Sequence, residues 1–468
     1  MYDSLKFLVN IILLYKLSLP RFMKDFSFFT YMAGDNNLSE YGLRDIEEMQ
    51  KTGSASNTNV LVEIDQAGDF DGVIRYEISN KDPRTGKADR IVKDRLPEKD
   101  SGNPQTLLDS LKWAKSLYEA KKYFIVIWNH GSGFRNRIAS RASLILPPNE
   151  VIKIKDDDNN KNNSNKEEKN LTNSIHIRKG TLFYHHYTEE YLKEFANRVI
   201  ASDDITGNSL DMIELRNVLT RAGFTGDNKI EVLGFDACLM NLLEVAYEMA
   251  GSARFLIGSE ELEPGDGWPY NTDLKSLNSF NGNTQKLVTN FVTNYFKSYQ
   301  PQKNQWPIIQ SAISLEYTSQ LAESVNELAK ALSNILPDKL VDISDLRESV
   351  QTYAVAEDYD DYIDLGDFAD LLINNIDNND IVSKAKKVQK DLKQAVIAEA
   401  HLGEDVQHSY GLTIWFPETS HKYHLHKPAY TRLMMTKKYP EWNKFLLKYH
   451  PKKPRNKEVI RTKTNNEN

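Results

Sequence analysis

KIEVLGFDACLMNLLEVAYEMAG, residues 229–251, reads as an apolar strand, a sharp turn and a helix. A second stretch, YFIVIWNHGSG at residues 123–133, is a continuous apolar strand that ends at His130. Strands apolar along their whole length are buried on both faces, which is the pattern of a parallel sheet covered by helices. In an open parallel sheet the strand C-termini share one edge, and functional residues collect there. His130 and Cys238 each follow such a strand directly. If the two strands are neighbours, imidazole and thiol meet on one rim.

The flanking sequence repeats the alternation. DFSFFTYMAG (25–34) is a strand, LSEYGLRDIEEMQKTG (38–53) an amphipathic helix stopped by Gly53, and NVLVEIDQAG (59–68) a strand. GVIRYEIS (72–79) reads as an added hairpin strand. TLLDSLKWAKSLYEAK (106–121) is a helix capped upstream by SGNP, and SLDMIELRNVLTRAG (209–223) is another. RFLIGSEELEPGDGWPY (254–270) is a strand running into an acidic, Gly-rich loop, and IIQSAISLE (308–316) is one more strand. Residues 25–315 therefore form an α/β unit with a mostly parallel central sheet. From 316 to 449 the pattern is mainly helical, with a late strand at 411–418 that is expected to rejoin the sheet. DDDNNKNNSNKEEKN (156–170) is nearly devoid of apolar residues, so a disordered insert is expected at about 150–180. The basic tail 450–468 is expected to be disordered as well.

Composition narrows the function. Of 468 residues, 59 are Lys or Arg and 66 Asp or Glu, a formal charge of −7. This argues against a nucleic-acid binder, which needs a basic surface. Cys238 is the single cysteine, which rules out an intrachain disulfide and a thiolate zinc site. No G-x-S-x-G elbow, P-loop or dinucleotide fingerprint is present. The apolar segment at residues 1–24 is too short to span a bilayer. It reads as a signal peptide, which implies a secreted or periplasmic protein, or as a start-site artefact, with translation from Met23 and a cytoplasmic protein.

Around Cys238 the residue types suit a nucleophile. The thiolate is the reactive form, and a helix N-terminus at Cys238 would favour its charge. Gly131, Ser132 and Gly133 leave room for a substrate carbonyl beside the backbone. The N–H groups of Gly131 and Cys238 are candidates for an oxyanion hole. The blocks YMAGDNNLSEYGLRDIEEM, IVIWNHGSG, LGFDACLMNLLEVAYEM, SEELEPGDGWPY, YIDLGDFA and GLTIWFP together resemble the clostripain family of cysteine peptidases. That family shares a clan with caspases, legumains and gingipains. The blocks run from about Tyr31 to Pro417.

The resemblance implies a caspase-like three-layer fold. It implies a Cys–His dyad without a required third member, mapping onto Cys238 and His130, and cleavage after Arg or Lys. A basic P1 side chain needs a carboxylate in its pocket. Asp236 and Asp266 match acidic positions of the family's motifs, and Glu260 and Glu261 are weaker candidates. The resemblance also suggests activation by self-cleavage between the His and Cys blocks. Lys193 and Arg198 are candidate sites, as are Lys153, Lys155, Arg178 and Lys179. No cofactor is required by this chemistry. Calcium is possible, because some relatives use it, and the loops at 34–37 and 201–204 are acidic. The calcium-loop-like spacing of Asp156, Asp158, Asn160 and Glu167 lacks the required Gly. Histidines 185, 186, 421, 424 and 426 read as ordinary polar residues, with the last three in a surface loop. The expected partner is a peptide or protein substrate. The alternative is a catalytically silent caspase-like module that binds peptides.

Overall fold

The computed structural model describes residues 23–67, 72–134, 200–203, 205–302, 307–354 and 361–450. Eleven strands are present among these: β1 (Lys24–Gly34), β2 (Thr58–Gln66), β3 (Gly72–Ile78), β4 (Arg90–Leu96), β5 (Ala120–Trp128), β6 (Ile230–Asp236), β7 (Ala253–Gly258), β8 (Ile308–Ser314), β9 (Tyr362–Asp364), β10 (Val396–Leu402) and β11 (Thr413–Trp415). Nine form one sheet in the order β10-β8-β7-β6-β5-β1-β2-β3-β4. The central run from β2 to β7 pairs in parallel. β3 and β4 extend one edge antiparallel, and β8 and β10 extend the other.

The middle of the sheet is buried on both faces because its central strands carry apolar residues on both sides. In β1, Phe29, Tyr31 and Ala33 pack into one core, and Phe26, Phe28 and Met32 into the other. The first core is covered by helices Pro104–Leu117, Met212–Arg221, Leu243–Met249 and Thr318–Ser349. The second is covered by helices Ser39–Thr52, Tyr270–Asn278 and Thr284–Tyr299. In β5, Phe124, Ile125, Val126 and Ile127 are each at most 1% exposed. At about 1.5–3 kcal/mol per buried side chain, such strands hold the middle of the sheet firmly. The expected three-layer α/β fold is thus the observed one.

Local signals explain the helix starts. Pro104 stands at the first turn after Asn103, whose side chain accepts from the Gln105 N–H. Asp211 and Glu214 form a reciprocal capping box ahead of Met212. Helix Ser39–Thr52 buries Gly42, Asp45, Ile46 and Met49, spaced to lie on one face. It ends at Gly53, whose φ of 73° lies in the left-handed region.

Two elements differ from the sequence reading. The late strand does not rejoin the large sheet. Residues 413–415 pair with β9 in a separate two-stranded sheet, because β10 already occupies the edge beside β8. β10 itself was read as helical. It follows helix Asn379–Ala395 with no Gly or Pro between, and its residues are all half-buried, so no contrast marks the change. The segment expected as a disordered insert, the N-terminal segment up to residue 22 and the tail from 451 lie outside the described residues. So do Lys153, Lys155, Arg178, Lys179, Lys193 and Arg198. No helix of the described chain is long and apolar enough to cross a membrane.

Candidate active site

β5 and β6 are direct neighbours, with Trp128 opposite Asp236 in the parallel register. His130 and Cys238 each lie two residues beyond that pair. The backbone continues the match: the Asn129 N–H donates to the Asp236 carbonyl at 3.3 Å. A Cβ on Gly131 would stand only 2.2 Å from the Cys238 carbonyl oxygen. Gly131 is therefore packed against the Cys238 backbone, and only glycine fits there.

Cys238 does not open a helix. It sits on a turn in which Leu239 has φ 59°, and the helix begins at Leu243. The expected contribution of a helix N-terminus to the thiolate is therefore dropped. A different donor serves: the Glu263 N–H points at Cys238 Sγ, 3.2 Å away. The turn is braced from behind by Asn241. Its side chain donates to the Gly258 and Gly411 carbonyls, and its own carbonyl accepts from Thr413 N–H at 3.0 Å. β11 thus supports the cysteine turn although it lies outside the large sheet.

His130 has a partner that sequence reading missed. Its Nε2 lies 2.9 Å from Asn37 Oδ1. An amide oxygen only accepts, so Nε2 carries a proton in this contact. Asn37 belongs to the GDNN turn at the end of β1, one strand over. Asn36 and Asn129 tie that turn to Ser202, where the chain returns toward β6. Cys238 is 0% and His130 2% exposed, so the described conformation is closed over both groups. We expect Asn37→Ala to lower kcat about 10- to 100-fold with a small change in KM, as an unoriented imidazole is a poor base. Steady-state assays of the folded variant check this.

The acidic candidates separate. Asp236 is 5% exposed, and the Tyr270 hydroxyl donates to its Oδ2 at 2.7 Å. Burial lifts its carboxyl to about 6, against the pull of hydrogen bonds from Glu263, Tyr270 and the Trp268 backbone. Asp266 is exposed on the GDGW loop. It lines a cavity of about 450 Å³ with Asp45, Glu48, Gly267 and Tyr299. Asp236 stands just behind this wall: a Cβ on Gly267 would meet its Oδ1 at 3.1 Å. Asp45, also missed from sequence, accepts from Trp128 Nε1 at 2.8 Å. Burial, and then the charge of Asp236, hold Asp45 well above the usual carboxylate range. Glu260 and Glu261 face elsewhere. Glu260 senses Asp364 and Glu399, and Glu261 accepts from the Leu262 and Ala354 N–H groups.

With this geometry the comparisons are decisive. The model of the clostripain family matches residues 30–164 and 180–449. The chain belongs to the clostripain family. Clostripain of Hathewaya histolytica is 26% identical over 273 residues, which is 51% of this chain and 40% of that protein. The match thus spans well under half of the curated relative's length. The X-ray structure of an inactive zymogen protease from Parabacteroides distasonis has a TM-score of 0.60 at 17% identity, covering 90% of this chain and 99% of its own. A secreted cysteine protease from Bacteroides thetaiotaomicron, solved with an irreversible peptide inhibitor, has a TM-score of 0.59 at 16% identity with the same coverage. At these identities the two structures establish the fold.

Within this clostripain-family fold the remaining histidines are not gathered in a loop. His421, His424 and His426 lie on helix Ser420–Tyr430. His185 and His186 lie outside the described residues. The acidic loops do come together: carboxylates of Asp35 and Asp203 lie with Glu98, all within 4.8 Å of one another. Asp204 lies outside the described residues.

Proposed function

We propose that this chain is a cysteine endopeptidase that cleaves peptide bonds after Arg or Lys. The observation that supports the reading is the parallel register of β5 and β6, in which His130 and Cys238 each follow the paired Trp128 and Asp236 by two residues. In the mechanism, the thiol proton passes to His130 and Cys238 Sγ attacks the scissile carbonyl. Backbone N–H groups of Gly131 and Cys238 stabilise the oxyanion. His130, oriented by Asn37, protonates the leaving amine, and water then hydrolyses the thioester. The P1 cation enters beside Asp266 and is neutralised by Asp236. A peptide-inhibited relative supports a peptide ligand, and that relative, a secreted protease, supports export.

The closed site supports activation by self-cleavage, for which Lys193 and Arg198 remain the candidates. It would loosen the cover over a thiol that is now inaccessible. Calcium has a place to bind in the same reading. Asp35, Glu98 and Asp203 offer the oxygen ligands a hard cation prefers. Beside them Asp65, 2% exposed, has one oxygen bonded to Ser101 and the other, Oδ1, with no hydrogen bond among the described residues. A cation there would hold in place the turn that carries Asn37.

A peptide library varied at P1, assayed with and without a chelator, tests both ideas. We expect turnover for Arg and Lys that exceeds neutral P1 by about 10²-fold or more, from a buried charge pair of about 2–5 kcal/mol. The chelator should reduce activity and lower the melting temperature together. A flat P1 profile would remove the specificity, and indifference to the chelator would remove the cation.

A further inference from the structure

Glu263 has no role in the scheme above beyond its backbone N–H. Its side chain is 0% exposed, and neither Oε1 nor Oε2 has a hydrogen bond of normal geometry among the described residues. A carboxyl so placed is costly unless a donor or cation arrives. Two other buried donors nearby are also unsatisfied: Trp268 Nε1, which approaches Glu263, and the Tyr295 hydroxyl. Tyr295 senses Glu263, Asp236 and Cys238, so these groups lie in one neighbourhood. Asp236 faces Glu263 from β6, Tyr295 and Tyr299 from helix Thr284–Tyr299, and Asp45 and Tyr270 flank Asp236.

Two carboxyls in such contact do not both ionise without a cation. Asp236 has the Tyr270 hydroxyl and the Trp268 backbone as donors, so it is the one that carries the charge. Burial, and then the charge of Asp236, hold Glu263 well above the usual carboxylate range. We propose that Asp236 and Glu263 form a proton-sharing pair that reads the P1 side chain, with Glu263 selecting a guanidinium over an ammonium. A planar guanidinium presents five N–H donors in a fixed fork, enough to engage two carboxylates at once. Binding it frees the shared proton to solvent. An ammonium, a compact charge with three donors, is served by Asp236 alone. Access comes with activation. The Glu263 N–H touches Sγ, so whatever opens the thiol to a peptide opens this corner as well.

The inference rests on the proposed S1 pocket, and its test separates the two. E263Q keeps the shape and the backbone N–H but cannot become an anion. With matched substrates, and P1 norleucine as the reference within each protein, we expect kcat/KM for P1 Arg to fall about 10-fold or more and for P1 Lys to change less than about threefold. On the unmutated chain, calorimetry of a peptidyl argininal in two buffers of different ionisation enthalpy should show about one proton released at neutral pH, relative to the norleucinal. An unchanged Arg-to-Lys ratio in folded E263Q, or no proton release, overturns the proposal. If E263Q does not fold, the proton count alone decides. Loss of basic selectivity in D236N but not E263Q sinks Glu263 and leaves the pocket, whereas its retention in both sinks the pocket too.

Discussion

Replacing Cys238 by alanine is expected to lower kcat on a P1-Arg peptide by on the order of 10⁵-fold, to the assay background. The chain has no second thiol to substitute, because Cys238 is its single cysteine. The fold should survive. Cys238 is a small buried residue, and apart from the Glu263 N–H contact to sulfur the bonds that brace its turn run through Asn241, Ser259 and Glu261. The same variant tests self-cleavage. Incubated alone, the unmutated chain should yield new N-termini between the His and Cys blocks, while C238A stays intact. Residual turnover in C238A would move the chemistry off the sulfur. Cleavage of both chains would assign the processing to another protease.

The second large effect is expected from Asp236→Asn. The substitution keeps an oxygen to accept from Tyr270 but removes the charge. Leaving a basic P1 without its buried counter-ion costs about 2–5 kcal/mol, or roughly 30- to several-thousand-fold in kcat/KM. Neutral P1 substrates should change far less. The pH profile provides a second readout. Burial raises the carboxyl to about 6, so below that pH Asp236 is mostly neutral and a cation gains less from it. For the unmutated chain, kcat/KM with P1 Arg should rise as pH increases through about 6, and D236N should lose that rise. The sign for stability is opposite to that of an ordinary ion pair. A carboxyl whose folded value is raised destabilises the fold once ionised, so D236N should not lower the melting temperature at neutral pH. Equal selectivity in the variant would show that Asp236 is only a structural acid.

Much of the fold was legible because its strands carry their own signal. Runs such as YFIVIW and VLGF are too apolar to face water on either side, and this alone places them in the middle of a parallel sheet. Their ends then fixed the rim on which His130 and Cys238 stand. The cysteine turn was harder. CLMNLLEVAYEM is apolar on all sides and is buried throughout, so periodicity cannot show that the helix waits until Leu243. Asn37, Asp45 and Glu263 were missed for a different reason. Each lies in a motif that was recognised, but what a polar side chain meets depends on the neighbouring strand or loop. The sequence shows that a turn is acidic or amide-rich. It does not show that Asn37 reaches an imidazole or that Glu263 faces Asp236.

The ladder between β5 and β6 also bears on how such a chain tolerates change. His130 and Cys238 are spaced by hydrogen bonds between adjacent strands, not by the connection that joins them. More than sixty residues separate Phe134 from Ile200 along that connection, yet its length does not enter the spacing. Lineages can lengthen, shorten or recompose this segment without retuning that spacing, provided the two strands stay in step.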